Sequence, residues 1–186
     1  MMMKTPLATA IAALAMTSTF AIAEEPRSGG TINTIIQPEP PGLVLGMIQN
    51  APTRVVAGNI YEGLLRYSTD LEPQPQLAES WDVSDDGLTW TFHLREGVLW
   101  HDGEPFTSAD VVFSTDVFHR ELNPSARAVL QHIESIEATD DHTVVFTLSD
   151  PFGPFLLSFE AGTFTMVPKH LYEGTDFRDN EHNNHP

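Results

Sequence analysis

Trp81-Asp82-Val83-Ser84-Asp85-Asp86-Gly87-Leu88-Thr89-Trp90-Thr91-Phe92-His93-Leu94 reads as two strands joined by a tight turn. Leu88, Trp90, Phe92 and Leu94 alternate with Thr89, Thr91 and His93. That two-residue period belongs to a strand with one buried face. Asp86-Gly87 marks the turn, since glycine takes the backbone angles a short hairpin requires. Downstream, His101-Asp102-Gly103-Glu104 predicts another tight turn. Thr107, with Asp110 three residues on, has the form of a capping box. The helix it opens should bury Val112, Phe113 and Val117. A second hairpin is expected from Ile133 to Ala138, turning at Asp140-Asp141 and returning from Thr143 to Leu148. Pro154 should open a short apolar helix through Phe159, and Pro168 another at Lys169 to Tyr172.

Working upstream, Leu71 to Leu77 carries Pro73 and Pro75 and predicts a loop or an edge strand. Pro52 opens a helix with Val56, Ile60 and Leu64 along one face, and Gly63 weakens its last turn. Pro38, Pro40 and Pro41 enforce an extended loop. Gly30 to Ile36 alternates weakly, is rich in Thr and Ile, and predicts a strand. The sum is an α+β chain in which hairpins predominate.

At the N-terminus Lys4 precedes an apolar run, Leu7 to Ala15, and the small-residue site Ala21-Ile22-Ala23. These are the parts of a secretory signal peptide, residues 1–23, with the mature chain starting at Glu24. The run is shorter than the ~20 apolar residues a membrane span needs. The chain has no cysteine, so neither disulfides nor a lipid-modified cysteine is available, and a soluble periplasmic protein is expected. The 26 acidic residues against 9 basic ones, a net charge of −17, exclude nucleic acid and anionic lipid as natural partners. Glu181 to Pro186 has neither apolar periodicity nor a cap, and reads as a frayed tail or a cut chain.

Catalytic patterns are missing. There is no phosphate-cradling glycine loop, no Gly-x-Ser-x-Gly and no His-Glu-x-x-His. Asp85-Asp86 lies in a turn, where a solvated role outweighs acid–base work. The eight histidines are scattered, and only His182 and His185 are close in sequence, which does not make a metal site without a third ligand. No cofactor is expected. His101-Asp102 reads as a structural turn. Trp90 reads as core, and Trp100 as either packing or a ligand platform.

Four blocks in this order carry a resemblance: Ile60-Tyr61-Glu62-Gly63-Leu64, Pro75-Gln76-Leu77-Ala78-Glu79-Ser80-Trp81, Trp90-Thr91-Phe92-His93-Leu94-Arg95-Glu96-Gly97, and Trp100-His101-Asp102-Gly103-Glu104-Pro105-Phe106-Thr107-Ser108-Ala109-Asp110-Val111. Behind a signal peptide they resemble the oligopeptide-, dipeptide- and nickel-binding proteins of ABC importers, extracellular solute-binding protein family 5. The resemblance implies a fold of the periplasmic binding protein-like class (class II, peptide-binding type), a two-lobed clamp. In it, residues 24–51 form the first segment of lobe I, 52–172 an inserted small α+β domain, and 173–186 the start of the return to lobe I.

The resemblance further implies a monomer that captures a peptide or related small solute and passes it to the membrane permease subunits, without entering the membrane. Chain end and resemblance together lead us to expect an incomplete chain, lacking the opposing lobe and binding no peptide tightly alone. The competing readings are an exported metal-dependent hydrolase and a non-functional gene fragment. Carried over residue by residue, the ligand-facing positions are the loop Gln49-Asn50-Ala51, Arg127, and the edge Gly162-Thr163-Phe164. Gln49 and Asn50 offer amide donors and acceptors, or simply a helix entrance. Arg127 suits a ligand carboxylate, or is a surface arginine. Gly162 leaves room for a ligand.

Overall fold

The computed structural model describes residues 29–186; the signal peptide and Glu24 therefore lie outside the described residues. Gly30 to Ile36 forms no strand, contrary to expectation. Ile32 and Ile35 are 91% and 90% exposed. Threonine and isoleucine give strand propensity, but a strand needs a neighbour for its N–H and C=O groups. None of the strands described below pairs with this segment.

Residues 35–186 form one unit. Helix α1 (Ala51–Ala57) starts where Asn50 Oδ1 accepts the Thr53 N–H at 2.8 Å. It is shorter than predicted: the Gly58 N–H closes it on the Arg54 and Val56 carbonyls. Ile60 and Leu64 therefore leave the helix, and the chain passes into β1 (Leu65–Tyr67), which pairs antiparallel with β2 (Pro73–Pro75). The two prolines of β2 suit an edge; β1 was not foreseen.

The deciding hairpin forms as read. Strand β3 (Ala78–Val83) pairs with β4 (Thr89–Leu94), and Val83 faces Trp90. Gly87 sits at φ +72° in the turn. The second hairpin, β5 (Ile133–Asp140) and β6 (Thr143–Leu148), joins it to give the order β3-β4-β6-β5. Phe92 and Leu94 on β4 and Val144, Phe146 and Leu148 on β6 are buried, one face of the pleat. Phe159 ends a 3-10 turn (Leu156–Phe159) and meets Phe92, Phe146, Phe155 and Phe164 at ring-centroid distances of 4.7–5.3 Å. Removing a ring so placed costs about 3–5 kcal/mol. Trp90 belongs to this core, stacked obliquely on Phe155.

Helix α2 (Ser108–Val112) opens at Thr107, whose N–H bonds back to Asp110 Oδ2 at 2.9 Å. It then widens into a π-helical stretch, Phe113–Phe118, before α3 (His119–Leu122) and α4 (Pro124–Leu130). In the π stretch the His119 N–H reaches the Ser114 carbonyl, five residues back. The buried stripe is accordingly Val111, Phe113, Phe118 and Leu122, while Val117 is 45% exposed and Val112 only partly covered. The predicted stripe assumed unbroken α-helical spacing; the extra residue turns Val117 outward.

That same register docks the helix on an extended segment. Asp110 Oδ1 accepts the Lys169 N–H (2.8 Å), Ser114 Oγ accepts the Val167 N–H (2.9 Å), and His119 Nε2 meets the Thr165 carbonyl (2.7 Å). From Asp110 to Ser114 four helical residues rise about 6 Å against two extended residues at about 6.6 Å; from Ser114 to His119 the π turn fits five residues to the same two-residue step. Without the π turn, Phe118, four residues beyond Ser114, rather than His119 would face the Thr165 carbonyl.

Helix α5 (Lys169–Tyr172) follows Pro168 as expected. Around it a second cluster gathers Tyr61, Phe113, Phe118, Tyr172 and Phe177. Glu181 to Pro186 is not a frayed tail. Asn180 caps a 3-10 turn, Glu181–Asn183, by accepting the His182 N–H, and the Asn183 carbonyl accepts the Leu43 N–H at 3.1 Å. No helix among the described residues is long and apolar enough to cross a membrane.

Candidate functional site

Two loops, Val44 to Ala51 and Glu160 to Thr165, lie together and carry most of the predicted ligand-facing positions. Gln49 ties them: its amide donates to the Gly162 carbonyl at 3.0 Å and the Leu45 carbonyl at 3.1 Å. Asn123, which caps α4 by accepting the Ser125 and Ala126 N–H groups, donates to the Thr163 carbonyl at 2.9 Å. Thr165 closes its own turn on the Ala161 carbonyl. The result is a rim in which Gln49, Asn123, Gly162 and Thr163 are held by one hydrogen-bond network.

The structure assigns each predicted residue a local task. Asn50 is the cap of α1, and Ala51 is exposed at its first turn. Gly162 donates its N–H to Glu160 Oε2 at 2.8 Å. A Cβ at Gly162 would lie 2.5 Å from Glu160 Oε1 and closer still to Arg54, so the space beside it is filled by protein. Thr163 Oγ1 reaches Glu160 Oε1 at 3.3 Å and is half-buried. Phe164 is fully buried, edge-on to His119 and packed on Phe159. Arg127 stands apart from the rim, its guanidinium donating to the Arg120 and Glu121 carbonyls at 3.3 and 3.1 Å, the open end of α3. Asn123 and Arg54 are the rim residues that sequence reading missed. Asn123-Pro124 repeats the Asn-then-proline signature of Asn50-Ala51-Pro52, and that was the available signal.

A cavity of about 510 Å³ lies elsewhere, lined by Tyr61, Trp100, His101, Asp102, His182 and His185 among others. The His101–Glu104 turn at its edge is held by the Glu104 N–H on Asp102 Oδ1 (3.1 Å). His170 Nε2 lies 2.6 Å from Asp102 Oδ2. That hydrogen bond, with the Glu104 N–H, holds the Asp102 carboxyl below the usual carboxylate range. Trp100 packs edge-on to Phe106, and its buried Nε1 has no partner among the described residues. Burial, and then the neighbouring Tyr172, push the Tyr61 hydroxyl well above its ordinary value. Among the described residues no three His, Cys, Asp or Glu side chains are placed to hold a metal ion.

The topology is shared with periplasmic binding proteins of known structure. The nickel–histidine complex of NikZ from Campylobacter jejuni superposes with a TM-score of 0.62 at 36% identity, over 70% of this chain and 26% of that one. CtaP, an ABC transporter substrate-binding protein from Listeria monocytogenes, gives 0.69 at 31% identity, over 80% and 30%. Among curated proteins, the periplasmic oligopeptide-binding protein OppA of Escherichia coli is 34% identical over 147 residues, 68% of this chain and 26% of OppA. The profile of the bacterial extracellular solute-binding proteins, family 5 (middle), matches residues 72–186, more than half of the chain. The chain belongs to that family. It spans about a quarter of the length of the curated relatives it matches.

Proposed function

We propose that this chain is the N-terminal part of the solute-capturing component of an ABC importer, exported to the periplasm and working with permease subunits in the inner membrane. The observation that carries this is the family match across the hairpins and helices of residues 72–186. Similarity to OppA and to a probable peptide transporter binding protein of Sinorhizobium fredii favours a peptide as the solute. In this reading residues 52–172 are the inserted small domain, 24–51 and 173–186 belong to lobe I, and the protein acts as a monomer. The rim of Gln49, Asn50, Ala51, Gly162 and Thr163 faces the solute. Its amides and carbonyls orient a peptide backbone without burying a charge. Phe164 supports the rim from within, and Arg127 would have to leave two carbonyls to reach a ligand.

Mass spectrometry of small molecules retained by the native gene product, purified from its host, tests the proposal. Di- or oligopeptides should be released on denaturation. An empty protein that hydrolyses peptides on incubation would instead support the exported hydrolase.

A further inference from the structure

A second concavity, of about 590 Å³, runs between α1, the β1–β2 hairpin and the Leu157–Gly162 turn. Arg54 and Arg66 stand on its walls, with Leu71, Leu157, Tyr67 and Glu160. Its charge is unbalanced in a chain of net charge −17. Glu160, the one acidic lining residue, is engaged by the Gly162 N–H and the Thr163 hydroxyl. Arg54 forms a long ion pair with Glu160, at 3.7 Å, without a hydrogen bond. Among the described residues no hydrogen bond or ion pair engages the Arg66 side chain. Most other cations are engaged: Arg120 pairs with Asp116, Lys169 with Glu173, Arg95 holds the Gln76 carbonyl and Arg127 those of α3, while Arg178 is exposed and lies in no cavity described above.

The apolar walls are exposed as well. Leu157 is 51% exposed and Leu71 72% exposed. Among the described residues Leu71 is also the one non-glycine residue with positive φ, at +62°. A bulky side chain in that region is uncommon, and such strain gathers at working sites. One unpartnered guanidinium, Arg66, and a second held only by a long ion pair, Arg54, beside two uncovered leucines, match a solute carrying both a carboxylate and an aliphatic group. The groove also touches the rim, since Gly162 lies in both and Arg54 packs against it.

We propose that this groove binds the carboxylate end of the solute, with Arg54 and Arg66 holding the carboxylate and Leu71 and Leu157 covering an aliphatic side chain. This rests on the reading of the chain as a solute-binding lobe, and it places the carboxylate anchor at Arg54 and Arg66 rather than at Arg127.

Amide NMR titration of the purified protein with N-acetyl-leucine, and separately with N-acetyl-leucine amide, tests it. The carboxylate should shift Leu71, Leu157 and Gly162 and the Nε–H signals of Arg54 and Arg66. The amide, and the Arg54→Gln/Arg66→Gln variant, should bind about tenfold more weakly, the low end for a charge-assisted pair in an open groove. Arg66→Lys, which keeps the charge, should retain part of the affinity and guards against a folding defect. Equal response to acid and amide, shifts confined to other surfaces, or no response at tens of millimolar would each overturn the proposal. A mixed dipeptide pool added to the same sample separates the two readings. If it shifts Gln49 and Thr163 while the groove stays silent, the groove assignment fails and the solute-binding reading stands.

Discussion

Acidification between pH 6.5 and about 4 should weaken this fold through one residue, His119. The ring is fully buried, and Nε2 lies 2.7 Å from the Thr165 carbonyl oxygen. A carbonyl only accepts, so Nε2 carries the proton and Nδ1 bears the lone pair. Nδ1 has no partner among the described residues. Burial pushes the group from 6.5 down to about 4, and the bond to Thr165 opposes this only in part. Unfolding releases the ring to its ordinary value. Between the two values only the unfolded chain takes up the proton, so stability is full above 6.5 and declines as the pH falls towards 4. The displacement corresponds to about 3 kcal/mol, a large share of a small domain's stability. Carboxylates act in a different window. Asp102 and Asp150, lowered by hydrogen bonds from His170 and His132, contribute stability that is lost only as the pH drops below 3.8. Urea unfolding followed by tryptophan fluorescence, in steps from about pH 7 to about pH 4.5, reads the effect directly. His119→Gln can keep the donor to Thr165 and removes the titration, so its stability should be lower at neutral pH and nearly flat with pH. If that variant declines as steeply as the parent protein, His119 is not the group responsible and the argument fails.

Gly63→Ala should abolish folding or lower stability by several kcal/mol in the same assay. The new Cβ would lie 2.3 Å from the Phe159 carbonyl and 2.7 Å from the Ala161 nitrogen, backbone atoms that cannot turn aside. Asp110→Ala removes both the partner of the Thr107 N–H and that of the Lys169 N–H; a loss of about 2–4 kcal/mol is expected, with Asp110→Asn recovering part of it. Arg127→Ala frees the two carbonyls at the end of α3 and should cost under about 1 kcal/mol, since they are open to water. In the peptide-loaded protein it should leave the ratio of carboxylate to amide affinities unchanged, and a tenfold shift by calorimetry would return the anchor to Arg127.

How far the sequence could be read depends on whether the deciding interaction is local. The hairpins are legible because alternation and a short turn, Asp86-Gly87 in one and Asp140-Asp141 in the other, act within a dozen residues. The Thr107 box and the Pro168 helix were legible for the same reason. Strand β1 was not: Leu65–Tyr67 is three residues long and exists only because β2 lies beside it. Asn50, at the rim, and Arg127, apart from it, are expected to face a ligand only through the family resemblance. Both side chains serve backbone groups that a helix end leaves unpaired. Gly162 was chosen for the room it leaves, and Arg54 and Glu160 take that room, a long-range packing fact with no trace in its neighbours.

The π turn shows most clearly what lies beyond local reading. Phe113-Ser114-Thr115-Asp116-Val117-Phe118 contains neither proline nor glycine to announce a change of pitch. What selects the wider turn is the fit of one helix face to an extended segment some 50 residues away, with side chains at 110, 114 and 119 meeting the backbone at 169, 167 and 165. At α-helical pitch the third contact would fall on Phe118, which has no donor to offer the Thr165 carbonyl. The wider turn brings an imidazole there and sends Phe118 into the cluster with Tyr172 and Phe177. It also leaves Nδ1 buried without a partner among the described residues, so the acid sensitivity of His119 follows from how this helix anchors the extended segment 165–169.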